Sequence, residues 1–177
     1  WELYAFWTCV PILISISISQ HQIHNQEFLV SLLSFLIIGL GFVSCVLGGI
    51  LAKSVNSSRV ASLSLAFSLS MCLIYPLVGN LYFFIDIALL MFWGFFVISD
   101  SPQFSAISAS VCPLHLVGTA LTTQNCIGFS ISMITIFLTT SFYETLGLYF
   151  VWILLPGPIL GLIFFCRQFG FLKLKTT

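Results

Sequence analysis

Long apolar runs follow one another along almost the whole of this chain, and each is close to the length of a membrane crossing. A helix needs about 20 mainly apolar residues to cross the hydrocarbon core of a bilayer. Only 6% of the 177 residues are charged and 59% are hydrophobic, whereas soluble domains carry about 25% charged residues. A soluble fold of this size cannot remove so much apolar surface from water. The sequence therefore predicts an integral membrane protein.

Polar interruptions divide the chain into six predicted transmembrane helices. We place these helices at about residues 1–19, 28–52, 60–78, 81–110, 116–140 and 146–166. The predicted connections are 20–27, Lys53–Arg59, the turn Gly79-Asn80, the region of Pro113 and His115, and Ser141–Thr145. The predicted fold is an all-α bundle over residues 1–166, followed by a tail at 167–177. A β-barrel is the alternative, because Leu13–Ser19 alternates with period two, but a barrel needs many such short segments.

The basic residues predict an orientation. With six crossings, all five of them fall on one side of the membrane: Lys53, Arg59, Arg167, Lys173 and Lys175. The opposite loops hold Glu27 and Glu144 instead. Because Lys and Arg are enriched in cytoplasmic loops, we expect both ends of this segment to be cytoplasmic, in a plasma membrane or bacterial inner membrane.

A single carboxylate lies deep inside the fourth segment. Asp100 at mid-helix costs about 2.5–3.5 kcal/mol on insertion scales, so its presence needs a reason. Helical spacing puts Trp93, Phe96 and Gln103 on its face. Pro102 is expected to bend the helix beside it. Two interpretations stay open: a substrate or proton-coupling site, or a hydrogen-bonded acid that fixes helix packing.

Other polar residues also lie within apolar segments. Gln124 and Asn125 are expected to face the bundle interior or a water-filled cavity, although hydrogen bonds between helices would also explain them. Glu2 lies near a membrane edge beside Trp1 and Tyr4, which could equally be an interfacial aromatic belt. Small residues recur at four-residue steps, at Gly41, Cys45 and Gly49, and predict close helix packing.

The sequence disfavours several classes of function. No hydrolase, zinc-protease or nucleotide-binding motif is present, so we do not expect an enzyme or a cofactor. The His21-x-x-His24-x-x-Glu27 pattern resembles metal-ligand spacing, but a solvated loop explains it better than a metal site. The six cysteines lie in separate apolar segments with no paired spacing. No basic patch favours nucleic acid as a partner.

The run Gly48-Gly49-Ile50-Leu51-Ala52, with a basic loop ending at Arg59, resembles the loop signature of the major facilitator superfamily of transporters. The resemblance extends over nearly the whole length, from Trp1 to about Arg167. Three further runs resemble helices in the second half of a bacterial branch: Trp1–Trp7, Trp93–Ala106 with its Asp-Ser-Pro-Gln-Phe-Ser motif, and Gly118–Phe129. The family usually carries Asp then Arg after the Ala of the signature, where this chain has Lys53 and Ser54.

The resemblance implies a function and a partner. It implies a secondary active transporter that moves a small solute by alternating access between two six-helix halves. This chain would be the C-terminal half, completed by an N-terminal half or by a second copy. The path for substrate or coupling ion would involve Asp100, Gln103, Gln124 and Asn125, with Glu2. Gly48, Gly49, Lys53 and Arg59 would form the cytoplasmic loop signature. A non-transporting membrane scaffold is the main alternative, and a channel remains open as well.

Overall fold

The computed structural model describes residues 1–23, 26–79 and 81–169, and its regular elements over that part of the chain are all helical. This confirms the predicted all-α class. The α-helices are α1 (Leu3–Gln20), α2 (Gln26–Val55), α3 (Ser57–Val78), α4 (Phe83–Val111), α5 (Val117–Leu146) and α6 (Pro156–Phe169). Two 3-10 helices, Leu114–Leu116 and Gly147–Leu154, lie on either side of α5.

The predicted number of crossing helices is corrected from six to five. By length and composition, five helical stretches of the described residues can cross a membrane, and the last of them runs from Leu114 to Phe165. The sequence places a loop at Ser141–Thr145, but these residues extend α5, and the chain changes direction at Gly147 with φ 55°. Beyond it, the predicted sixth segment consists of an eight-residue 3-10 helix and the 14-residue α6. Pro156 is the first residue of α6. Proline is favoured there because the N–H that it lacks would have no partner within the helix.

The connection between α2 and α3 is much shorter than predicted. The sequence places a polar loop at Lys53–Arg59, yet α2 continues to Val55 and α3 starts at Ser57. Asn56 alone makes the turn, with φ 86°, and its side chain accepts a hydrogen bond from the Ser58 amide at 3.4 Å. Asn adopts positive φ more readily than most residues because its side chain bonds locally. Lys53 and Arg59 consequently lie exposed on adjoining helix ends.

The core forms around α1, which contacts α2, α4, α5 and the Gly147–Leu154 segment. Its largest fully buried side chains include Phe6, Tyr75, Trp93 and Phe150. Large apolar side chains on the outer surfaces of α2 and α5 are exposed, as with Phe42 at 77%. A soluble protein rarely leaves so many exposed together. The arrangement fits a multi-pass membrane protein whose outer surface meets lipid.

Small residues bring α2 and α4 close together. A Cβ at Gly48 would lie 2.8 Å from the Ser99 hydroxyl, and one at Gly41 would collide with the Ile98 side chain. By contrast, a Cβ at Gly49 would meet nothing within 4 Å. The close approach therefore uses glycines seven residues apart, two helical turns, whereas the sequence predicts a four-residue repeat through Gly49.

Candidate functional site

The carboxylate of Glu2 joins three helices inside the bundle. Glu2 precedes α1 and is only 7% exposed. Its Oε1 accepts hydrogen bonds from the Ser68 hydroxyl, from Trp93 Nε1 at 3.1 Å and from Cys72 Sγ at 3.5 Å. Trp93 Nε1 also lies 2.9 Å from the Ser68 hydroxyl oxygen. Because these donors lie on α3 and α4, the cluster holds the start of α1 against both helices.

The second oxygen of Glu2 is directed elsewhere. Oε2 accepts no hydrogen bond from the described residues. Unlike the carboxylate oxygens of Asp86, it is not fully buried. Glu2 lines a cavity of about 220 Å³, which we call the carboxylate cavity. The other lining residues are Trp1, Leu3, Leu65, Val97, Asp100, Ser101, Phe104, Gly157, Pro158 and Gly161.

Asp100 supplies the second carboxylate of the cavity. It lies on α4, which runs on through Pro102 as an α-helix, and its side chain is half-buried. Oδ1 accepts a hydrogen bond from the Ser101 hydroxyl at 3.4 Å. The residues that line the cavity include no Lys, Arg or His. Two acids thus share this space with the amino group of Trp1, which interacts with both of them.

An amide-lined cavity of about 250 Å³ lies beside the first, which we call the amide cavity. Gln124 and Asn125 line it from α5, and Gln124 Oε1 accepts a hydrogen bond from the Ser108 hydroxyl on α4. The two cavities share four lining residues, namely Trp1, Leu3, Ser101 and Phe104. The structure therefore places four of the five predicted path residues along two adjoining cavities.

Gln103 lies away from both cavities. It is 2% exposed and faces α2, because a Cβ built on Gly48 would lie 3.4 Å from its Nε2. Helical spacing predicts that Gln103 and Asp100 share a face of α4. In the structure Gln103 lies next to Gly48 of α2, whereas Asp100 lines the carboxylate cavity. One amide of the predicted path thus packs between helices instead of lining a cavity.

The predicted loop signature divides into packing and exposed residues. Gly48 lies against α4, whereas Gly49 is exposed. Lys53 and Arg59 line a concave surface at the α2–α3 turn, together with residues 52 and 54–57. Two cations at one end of the bundle can interact with anionic lipid or with acidic groups of a partner.

A buried acid was missed by sequence reasoning. Asp86 is 1% exposed, and neither carboxylate oxygen has a hydrogen-bond partner among the described residues. The buried Tyr75 hydroxyl makes no hydrogen bond of ordinary length either, but it lies close enough to Asp86 to interact with the carboxylate. Asp86 lies in the first turn of α4, where an acid is ordinarily explained by the helix dipole and an aqueous boundary. Only its burial distinguishes it, and the sequence holds no signal for that.

Comparison with protein-family models, curated proteins and solved structures found no match to this chain. The likeness to the major facilitator superfamily therefore stays a prediction from the motifs. Within the described residues, no three His, Cys, Asp or Glu side chains come together as metal ligands. His24 of the loop pattern and Lys173 and Lys175 of the predicted tail lie outside the described residues.

Proposed function

We propose that this chain is the C-terminal half of a secondary active transporter of the major facilitator type, which moves a small solute by alternating access. One observation carries the proposal: a cavity lined by two carboxylates lies between α1, α3, α4 and α6 of an apolar helix bundle. Ionisable groups at such positions are expensive in lipid, and in membrane proteins they mark substrate and ion pathways.

The amide cavity extends the proposed path. Gln124 and Asn125 offer hydrogen-bond donors and acceptors next to the carboxylate cavity. A second half of the transporter, either an N-terminal half or another copy, would supply the facing wall of the path. Substrate sites at the boundary between two repeats are the rule for such folds.

A membrane scaffold or assembly subunit is the second candidate. The Glu2 cluster favours it, because the hydrogen bonds from Ser68 and Trp93 serve helix packing and need no ligand. The two candidates differ in whether water reaches the cavities. In a variant with the native cysteines replaced, a cysteine at Asn125 should react with a water-soluble maleimide if the protein is a transporter. Complete protection of that cysteine would favour the scaffold.

Replacing Asp100 tests the transport proposal directly. We expect Asp100→Asn in the full-length protein, reconstituted into vesicles, to lower uptake about tenfold or more, since an acidic group that lines the proposed path is lost. A panel of radiolabelled small solutes, screened first with the unaltered protein, supplies the substrate for the assay. Glu27→Gln is the matched control, because Glu27 is an exposed acid at the start of α2. Unchanged transport with unchanged pH dependence would remove Asp100 from the mechanism.

A further inference from the structure

We propose that an anionic phospholipid binds at the α2–α3 turn, with its headgroup between Lys53 and Arg59 and one acyl chain in an apolar groove between α2, α3 and α4. We call the concave surface of Lys53, Arg59 and residues 52 and 54–57 the basic surface, and the apolar groove beside it the acyl groove. The site lies outside the proposed transport path, so the proposal holds for a transporter and for a scaffold alike.

The acyl groove has the lining and the size of a hydrocarbon site. Its volume is about 140 Å³, which is below the roughly 300–1,000 Å³ of sites for drug-sized molecules. Leucine, valine and phenylalanine side chains form most of its lining, and the other residues that line it are a glycine and two serines. Such a lining favours a slender hydrocarbon chain over a polar solute.

Close packing of the three helices fixes the walls of the acyl groove. Gly48 and Ser99 both line it and are buried, and a Cβ at Gly48 would lie 2.8 Å from the Ser99 hydroxyl. Phe67 of α3 and Phe96 of α4 also line it, and their ring centroids are 4.5 Å apart. Phe67 is 42% exposed. The groove is therefore open to lipid while its shape is held by contacts within the bundle.

The acyl groove is continuous with the basic surface. Val55 lines both of them. Along α2 the lining of the groove extends from Val55 back to Leu47, which is about 12 Å at 1.5 Å per residue. One leaflet contributes about half of the roughly 30 Å hydrocarbon core. A lipid with its headgroup at the turn would therefore place an acyl chain along the groove within its own leaflet.

The charge of the basic surface favours an anionic headgroup. Lys53 and Arg59 both line it and are exposed. The five Asp and Glu residues of the chain are all described, and none of them lines the basic surface or the groove. Within the described residues, neither cation is paired with an acid. Arginine can bind a phosphate group with two N–H donors, and lysine adds a second positive charge.

The groove distinguishes a lipid from other anions. An acidic segment of a partner protein, or free phosphate, could meet the same two cations, but neither would use an apolar groove. An anionic phospholipid uses both features at once. Anionic lipids are also concentrated in the cytoplasmic leaflet, and Lys53 and Arg59 mark the predicted cytoplasmic end of α2 and α3.

Lipid binding to the full-length, delipidated protein in detergent tests the proposal. Native mass spectrometry counts bound lipids in titrations with phosphatidylglycerol and with phosphatidylcholine of the same acyl chains. We expect phosphatidylglycerol to bind about tenfold more tightly or better, because only its headgroup carries a net negative charge. Glycerol 3-phosphate, an anionic headgroup without acyl chains, should not displace it. This comparison uses the unaltered protein and needs no variant.

Two sets of variants separate the charges from the groove. Lys53→Gln combined with Arg59→Gln should weaken phosphatidylglycerol binding about tenfold or more, and Lys53→Arg with Arg59→Lys should restore it to within a few-fold. Leu47→Trp places a larger side chain in the groove and should weaken binding about fivefold or more. Val46→Trp is the matched control, since Val46 is similarly exposed on α2 but does not line the groove.

Several outcomes would overturn the proposal. Equal binding of the two lipids, displacement by glycerol 3-phosphate, binding indifferent to the two cations, or equal effects of the two tryptophan variants would each do so. Tighter binding of an oligoglutamate peptide than of phosphatidylglycerol would assign the basic surface to an acidic partner instead. The unfolding midpoint without lipid shows whether each variant is folded.

Discussion

At the level of single residues, two buried acids have opposite surroundings. Glu2 accepts three hydrogen bonds on one oxygen, from side chains of α3 and α4. Asp86 is buried more deeply, yet neither of its oxygens has a hydrogen-bond partner among the described residues. A buried polar group stabilises a fold only when its bonds are made, and it destabilises the fold when they are not. The two acids should therefore contribute to stability with opposite signs.

Neutralising each acid with its amide measures this difference. We expect Glu2→Gln to lower the free energy of unfolding by about 1–2 kcal/mol, because the amide group disturbs the hydrogen bonds that converge on Oε1. Asp86→Asn should leave that free energy unchanged or raise it, since Asp86 makes no hydrogen bond of ordinary length and an amide can still face the Tyr75 hydroxyl. Thermal unfolding in detergent gives both values. A similar loss in the two variants would show that Asp86 has a stabilising partner.

At the level of elements, α2 and α4 pack through glycines on one side of α2 only. Gly48 faces Ser99 so closely that a Cβ has no room, whereas the next residue, Gly49, faces open space. Both belong to the predicted loop signature, which does not indicate that one glycine packs against α4 and the other does not. Their orientations differ because successive residues on a helix lie about 100° apart.

The same substitution at the two glycines should have unequal effects. We expect Gly48→Leu to lower the free energy of unfolding by about 1–3 kcal/mol, because the side chain forces α2 away from α4. Gly49→Leu should change it little, since leucine there points outward and favours helix more than glycine does. The unfolding midpoints of the two variants, measured in the same detergent, show whether the effects differ. Equal effects would mean that α2 and α4 are not in close contact at Gly48.

At the level of the whole molecule, the length of α2 bears on the topology. Its 30 residues extend about 45 Å at 1.5 Å per residue, while the hydrocarbon core of a bilayer is about 30 Å thick. Glu27 and Ser54 lie near its opposite ends and are exposed. The two ends therefore reach opposite sides of the membrane if α2 crosses it.

Labelling from each side tests the crossing and the orientation. With the native cysteines replaced, Ser54→Cys should react with a membrane-impermeant maleimide only in inside-out vesicles, because Lys53 and Arg59 mark the cytoplasmic end. Glu27→Cys should react only in right-side-out vesicles. Reaction of both from one side would contradict a crossing by α2, and reversed sides would contradict the orientation alone.

Only part of the candidate site could be read from the residues. Asp100 and the Gln124-Asn125 pair are visible because polar groups are rare inside apolar runs, and the structure places them along the two cavities. Ser68 and Cys72, which bond to Glu2, give no such signal, since small polar residues are common in membrane helices. Gln103 is predicted to line the path from helical spacing and from the motif resemblance, and neither reveals which helix lies next to it.

The sequence by itself determined the class of the protein and the approximate extent of α1 to α4, because long apolar runs and their polar ends follow directly from lipid as the solvent. Only the tertiary structure decided which side of each helix faces its neighbours. In a soluble protein, contrast between polar and apolar faces fixes that orientation. Here lipid and interior are equally apolar, so the orientation of Glu2, Asp86 and Gln103 depends on packing and hydrogen bonds between residues far apart in the chain.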